Sequence, residues 1–176
     1  MLNIRTATEA DADALLAIYV PFVEATAVSF ESVAPSPQEF AVRIVDCLKG
    51  WQWLVAERDG ECAGYAYASK HRERSAYRWS VEVSAYVQAN HRRQGIGRAL
   101  YERLFDDLAA KGYCNAYAGI ALPNDASIAL HLGAGFEPVG VFKAVGRKFG
   151  RWHDVAWYQR VLREQPIPDG LPETAP

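Results

Sequence analysis

The chain has 176 residues, 50% of them hydrophobic, and a net charge of −2. That suits one domain with a sizeable core, and it gives no reason to expect a nucleic acid or an anionic membrane as partner. The cysteines, Cys47, Cys62 and Cys114, are too few and too scattered for a disulfide framework or a zinc site.

Leu2 to Arg5 reads as a first strand. Thr8 caps a helix whose positive end carries Glu9, Asp11 and Asp13, and Leu15, Leu16, Ile18 and Tyr19 recur at helical spacing. Pro21 is expected to kink or break that helix, leaving a short second piece to about Thr26. Val28 to Glu31 is a loop or short extended stretch, and Phe30 there reads most simply as a plug over the core. Ser36-Pro37-Gln38-Glu39 is a capping box with proline at the first helical position, opening a helix towards Leu48 that Gly50 ends.

Trp53 to Glu57 reads as a strand, Asp59-Gly60 as a hairpin turn, and Cys62 to Ser69 as the returning strand. Lys70 to Tyr77 is a charged loop. Arg78 to Val87 is a long central strand with Glu82 in its middle. That carboxylate either faces solvent or lines a cleft, where burial would raise its pKa and make it a base.

The stretch from His91 to Leu104 then sets Arg92, Arg93, Gly95, Gly97 and Arg98 at the start of an amphipathic helix. Bare glycine backbone, unpartnered helix amides and a positive helix end make a seat for phosphate. The plainer alternative is a tight turn with a solvated basic edge. Gly112 ends this helix at about Lys111, and Asn115 to Ala121 is a further strand. Pro123-Asn124-Asp125 caps a short helix from Ala126 to Leu132. Phe136 to Lys148 and Trp152 to Leu162 close the pattern as two strands joined at Gly150. A domain over 1–162 is expected, with 163–176, rich in proline and acid, as a flexible tail. No signal peptide or long apolar span is visible, which sets the expectation of a soluble cytoplasmic protein without a resident metal.

The order β-αα-β-β-β-α-β-α-β-β predicts an α/β (α+β) fold: a mixed, mostly antiparallel sheet with helices on both faces. It is not a dinucleotide-binding domain, because Leu100 stands where the third glycine of that fingerprint would be. No GKS or GKT marks a P-loop.

Arg92-Arg93-Gln94-Gly95-Ile96-Gly97 resembles the Q/R-x-x-G-x-G/A motif of the GCN5-related N-acetyltransferases (GNAT), and Leu130 to Phe136 resembles their later L-Y-x-x-x-G-F motif. SAYRWSVEVSAYV, LPNDASIALH and GRKFGRWHDVAWYQ are similar to the phosphinothricin and methionine sulfoximine acetyltransferase branch. The resemblance implies a GNAT fold, its sheet of about seven strands splayed into a V, with acetyl-CoA as cosubstrate. The pantetheine arm would lie along Ala85, Tyr86 and Val87, and the pyrophosphate on Arg92, Arg93, Gln94, Gly95, Ile96, Gly97 and Arg98. Asn124 and Ser127 would reach the arm from the other side.

Glu82 resembles the branch's catalytic carboxylate. His131 stands where most of the superfamily has tyrosine, as general acid, relay member or packed helix residue. Arg72 and Arg74 would meet a substrate carboxylate or phosphinate, unless they are simply solvated, and Phe30 and Tyr77 would wall its aliphatic part. Trp152 and His153 read as structural. The resemblance also implies a homodimer, with a small-molecule amine as partner. Rivals are an acetyltransferase for a protein N-terminus or polyamine, a non-catalytic acyl-CoA-binding module and, more weakly, a nucleotide-binding protein.

Overall fold

The computed structural model describes residues 1–164; the tail expected from 163 onward falls almost wholly outside them. Seven strands and four α-helices alternate: β1 (Leu2–Thr6), α1 (Ala12–Ala25), α2 (Pro37–Leu48), β2 (Trp53–Arg58), β3 (Glu61–Lys70), β4 (Ser80–Val87), α3 (Ile96–Ala110), β5 (Asn115–Ala121), α4 (Asp125–Gly133), β6 (Glu137–Lys148) and β7 (Arg151–Val161). The caps expected at Ser36 and Asn124 are in place, whereas Thr8 caps a 3-10 turn, Glu9–Asp11, and α1 follows from Asp11. Ser36 Oγ accepts from the Glu39 amide while the Glu39 carboxylate accepts from the Ser36 amide.

Pro21 does not break α1. The carbonyl that loses its donor, four residues back, belongs to Ala17, and Ala17 and Pro21 both lie exposed. That carbonyl lies on the solvent side of the helix, while Ile18, Tyr19 and Val23 remain buried and hold the helix to the sheet. The charged loop after β3 is not featureless either: Ser75–Tyr77 forms one 3-10 turn, which delays the central strand to Ser80.

The sheet order is β1-β2-β3-β4-β5-β7-β6. Every neighbouring pair is antiparallel except β4 and β5. Those two run parallel through Ser80↔Asn115, Val81↔Ala116 and Glu82↔Tyr117, and there the pairing stops. Beyond Glu82, β4 pairs only with β3 and β5 only with β7, so the sheet opens into a V.

Strand alternation sorts the side chains of β4. Val81 and Val83 enter the core under α3, and Ala85 and Val87 pack on it, together with Leu130 and Ile128 of α4. Tyr86 faces the other way, into the core under α1 and α2 with Tyr19, Trp53 and Tyr65. Glu82, two turns of the alternation before Tyr86, shares that second face.

Candidate active site

Glu82 sits at the last paired position before the V opens. Its Oε1 lies 3.1 Å from Nδ1 of His71, a residue just past the end of β3 that sequence reasoning did not single out. The His71 side chain is 10% exposed and that of Glu82 36%. The imidazole stacks on Tyr117 of β5, with centroids 4.5 Å apart and planes 13° apart, and meets Tyr77 and Trp157 edge-on. Burial pushes the Glu82 carboxyl up, and the His71 hydrogen bond, with the charges of His71 and Arg72, pulls it part of the way back. Glu82 is thus half-buried beside the His71 ring.

Tyr77 and Arg72 adjoin this pair, with the Arg72 guanidinium 5.9 Å from the Tyr77 ring centroid. Arg74 is exposed on the same loop, at the cap of the 3-10 turn. Phe30 is half exposed and lies against Gly146 of β6, where a Cβ would strike its ring, and 6.1 Å from the His153 ring. A buried Lys148 fixes the loop that carries Phe30, its Nζ donating to the carbonyls of Val23 (2.5 Å) and Ser29 (2.7 Å). His153 is buried and bonds the Lys148 carbonyl, in keeping with a structural part, whereas Trp152 is exposed.

At the other end of β4 the chain makes a cradle. Arg93 and Gly95 take left-handed φ angles of 60° and 80°, and no acceptor pairs with the amides of 93–98 among the described residues. Consecutive free amides at a helix N-terminus form an anion-binding nest. Space for a ligand differs between the two glycines. A Cβ at Gly95 would meet nothing within 4 Å, whereas at Gly97 it would lie 3.1 Å from Leu130. Gly97 thus also lies in close packing between α3 and Leu130 of α4. Ile96 is buried beneath the cradle. The flanking side chains are partly committed: Arg92 lies over the Phe22 ring, Gln94 accepts from Arg58, and Arg98 pairs with Glu102 along α3. The free edge of Ala85, Tyr86 and Val87 leads from this cradle back to Glu82.

Asn124 and Ser127 have local duties at the start of α4, where Asn124 Oδ1 accepts from the Ser127 amide at 3.1 Å. His131, 5% exposed, lies in the core and not beside Glu82. Its Nδ1 is 2.7 Å from the Ser127 carbonyl, which can only accept, so Nδ1 carries the proton. Nε2 then accepts from the Tyr101 hydroxyl at 2.9 Å. Burial lowers its pKa. Both nitrogens are engaged, burial favours the neutral ring, and Ser127 Oγ, 3.3 Å from Nδ1, is the polar group that leads outward.

A cavity of about 300 Å³ lies one strand away, between α2 and β2–β3, walled by Tyr19, Phe40, Trp53, Tyr65 and Tyr67. Ser69, opposite Glu82 in the β3–β4 register, lines it, but Glu82 does not.

A carboxylate where a sheet splits, joined by an open strand edge to a nest of free amides, is the arrangement that the resemblance to acyl-coenzyme A transferases implies. The Acetyltransferase (GNAT) domain family matches residues 4–157, and the chain belongs to that family of N-acetyltransferases. It is 40% identical over 167 residues to the phosphinothricin N-acetyltransferase of Streptomyces viridochromogenes, covering 95% of this chain and 91% of that one. It is 36% identical over 169 residues to the L-methionine sulfoximine/L-methionine sulfone acetyltransferase of Salmonella typhimurium, covering 96% and 99%. Among solved structures, a GNAT superfamily phosphinothricin acetyltransferase from Sinorhizobium meliloti, in complex with acetyl-CoA, superposes with a TM-score of 0.93 at 38% identity, covering 99% of this chain and 97% of that one.

Proposed function

We propose that the enzyme transfers acetyl from acetyl-CoA to the α-amine of a small amino-acid-like substrate of the phosphinothricin or methionine sulfoximine type. The observation that carries this reading is the position of Glu82, half-buried at the point where β4 and β5 part. The named relatives supply the substrate class.

Acetyl-CoA supplies an activated acyl carbon when bound; its pyrophosphate fits the free amides of 93–98 and its pantetheine arm the open edge of Ala85, Tyr86 and Val87. An ammonium cannot attack, so a carboxylate at this depth takes one proton from it. The neutral nitrogen then bonds to the acyl carbon as the carbon–sulfur bond breaks; sulfur leaves with the electron pair, the nitrogen gives up a second proton to become the amide, and one of the two protons shed by nitrogen ends on the thiolate while the other leaves to solvent. The base is Glu82 itself or a water that it holds. No cysteine stands beside Glu82, and the buried Cys47 thiol is pushed up to about 12, so the transfer is direct. Arg72 and Arg74 meet the substrate's anionic groups, with Phe30 and Tyr77 along its aliphatic part. His131 supports α4 against α3, and Asn124 and Ser127 hold the same helix end next to the pantetheine path.

The three cysteines are free thiols, as a reducing cytoplasm would keep them, and an exposed apolar strip on β6 and β7 suits a homodimer. Among the described residues no helix is long and apolar enough to cross a membrane. Cell fractionation tests the compartment.

Thiol release from acetyl-CoA across an amine panel tests the substrate class. L-phosphinothricin and L-methionine sulfoximine should give the highest kcat/KM, above their carboxyl esters, a polyamine and a peptide N-terminus. Faster turnover of peptides or esters would overturn the substrate class and leave the acetyltransferase intact.

A further inference from the structure

We infer that His71 is a positioning residue for the acetyl transfer: its Nδ1–H holds the Glu82 carboxylate ionised and aimed, with Oε1 engaged and Oε2 free for the amine. The inference rests on the reading of Glu82 as the base or as holder of the base water.

The geometry admits this pairing and disfavours its alternative. At 3.1 Å, a bare Nδ1 lone pair and an ionised carboxylate would repel, so a proton lies between them. With Glu82 ionised, as its role as base requires, that proton sits on Nδ1, and the imidazole donates to Oε1 whether the ring is neutral or cationic. No hydrogen bond to Oε2 is made among the described residues. The ring itself has little freedom, because it is stacked on Tyr117 and held edge-on by Tyr77 and Trp157. It therefore fixes the carboxylate from four elements at once: the loop after β3, the 3-10 turn, β5 and β7.

The arrangement also answers an electrostatic problem. A carboxylate withdrawn from water loses ionisation, and a base must be ionised to work. The charged and titratable groups facing the pair are Arg72 on the same loop, Tyr77 on the 3-10 turn and Tyr117 on β5. Across the β3–β4 ladder Glu82 meets only Ser69. Among these, the His71 hydrogen bond is the largest influence opposing burial.

Two variants separate donation from packing. His71→Phe keeps a ring to stack on Tyr117 and removes the donor. His71→Asn places an amide nitrogen near the position of Nδ1 and removes the stack. The first readout needs no substrate: the Glu82 carboxyl is titrated by ¹³C NMR in the wild type and both variants, each first checked for a native melting transition. In His71→Phe the midpoint should rise by roughly half a unit to one unit, the low end for a hydrogen bond to a charged group once solvent exposure is allowed for. In His71→Asn it should stay near the wild-type value.

The second readout is the acid limb of kcat/KM for the amine, which should move the same way, because a base with a raised pKa loses its ionised form at higher pH. KM for acetyl-CoA should hold steady in both variants. An unmoved midpoint in His71→Phe, or equal shifts in Phe and Asn, overturns the inference. Absent turnover in the wild type with a midpoint that still moves would refute the proposed activity instead, leaving the His71–Glu82 coupling established.

Discussion

Glu82 interrupts an otherwise apolar strand, and its alternation with Val81 and Val83 turns it away from the core under α3. Removing its charge while keeping its shape isolates the proton-accepting role. Glu82→Gln should lower kcat by about 10²-fold or more, the usual scale for a general base, with little change in acetyl-CoA affinity. Burial raises the carboxyl, so the acid limb of the wild type should lie above the ordinary carboxylate range, and activity should fall as pH drops through it. The deficit of the variant should narrow at high pH, where the substrate amine is already neutral. Equal kcat for variant and wild type at pH 7 would remove Glu82 from the chemistry.

Glu82 was legible because a charge inside an apolar run needs a reason. His71 was not, since it lies past the last residue of β3 in a loop of charges, and its stacking on Tyr117 depends on a strand about forty-five residues later. The close approach of Leu130 to Gly97 was not legible either, because it depends on how α4 returns over α3.

Most elements announced themselves locally. Ser36 with Glu39, Asp59-Gly60 and Gly112 mark ends that the structure keeps, and β5 occupies the expected residues. Pro21 misled because the cost of a helical proline depends on which carbonyl it deprives, and Ala17 faces water. The β6–β7 hairpin also departs from a regular ladder. Its register slips between Phe142 and Gly146, and Asp154 secures the bulge by accepting from the Ala144 amide and from Lys143 Nζ, both at 2.8 Å. Around that bulge Val139, Val141, Phe142, Val145 and Trp152 are all exposed, too many apolar residues on one hairpin for an isolated surface. If this strip closes a homodimer, sedimentation should give twice the chain mass for the wild type and the chain mass for Val141→Glu, since a buried, unpaired carboxylate is costly. A monomeric wild type would contradict the dimer.

At the scale of the molecule, the decisive feature is where the sheet fails to close. β4 and β5 pair for three residue pairs and then part, which leaves strand edge, amides and carboxylate along one path. Local patterning gave a mixed sheet with helices on both faces; it carried no information on the order β4-β5-β7-β6, which is set by pairings between distant segments. The V followed from the resemblance of the Arg92–Gly97 and Leu130–Phe136 motifs to the family.

That path makes one demand above all, that acetyl-CoA binds the native protein. Thermal unfolding with and without 1 mM acetyl-CoA measures it. For a Kd of about 10 μM, binding should stabilise the fold by about 2.7 kcal/mol, raising Tm by roughly 5–10 °C for a chain of this size. ATP and NAD, which lack the pantetheine arm, should give the smaller shift. An unmoved Tm at millimolar acetyl-CoA, or a larger shift with ATP or NAD, would contradict the account.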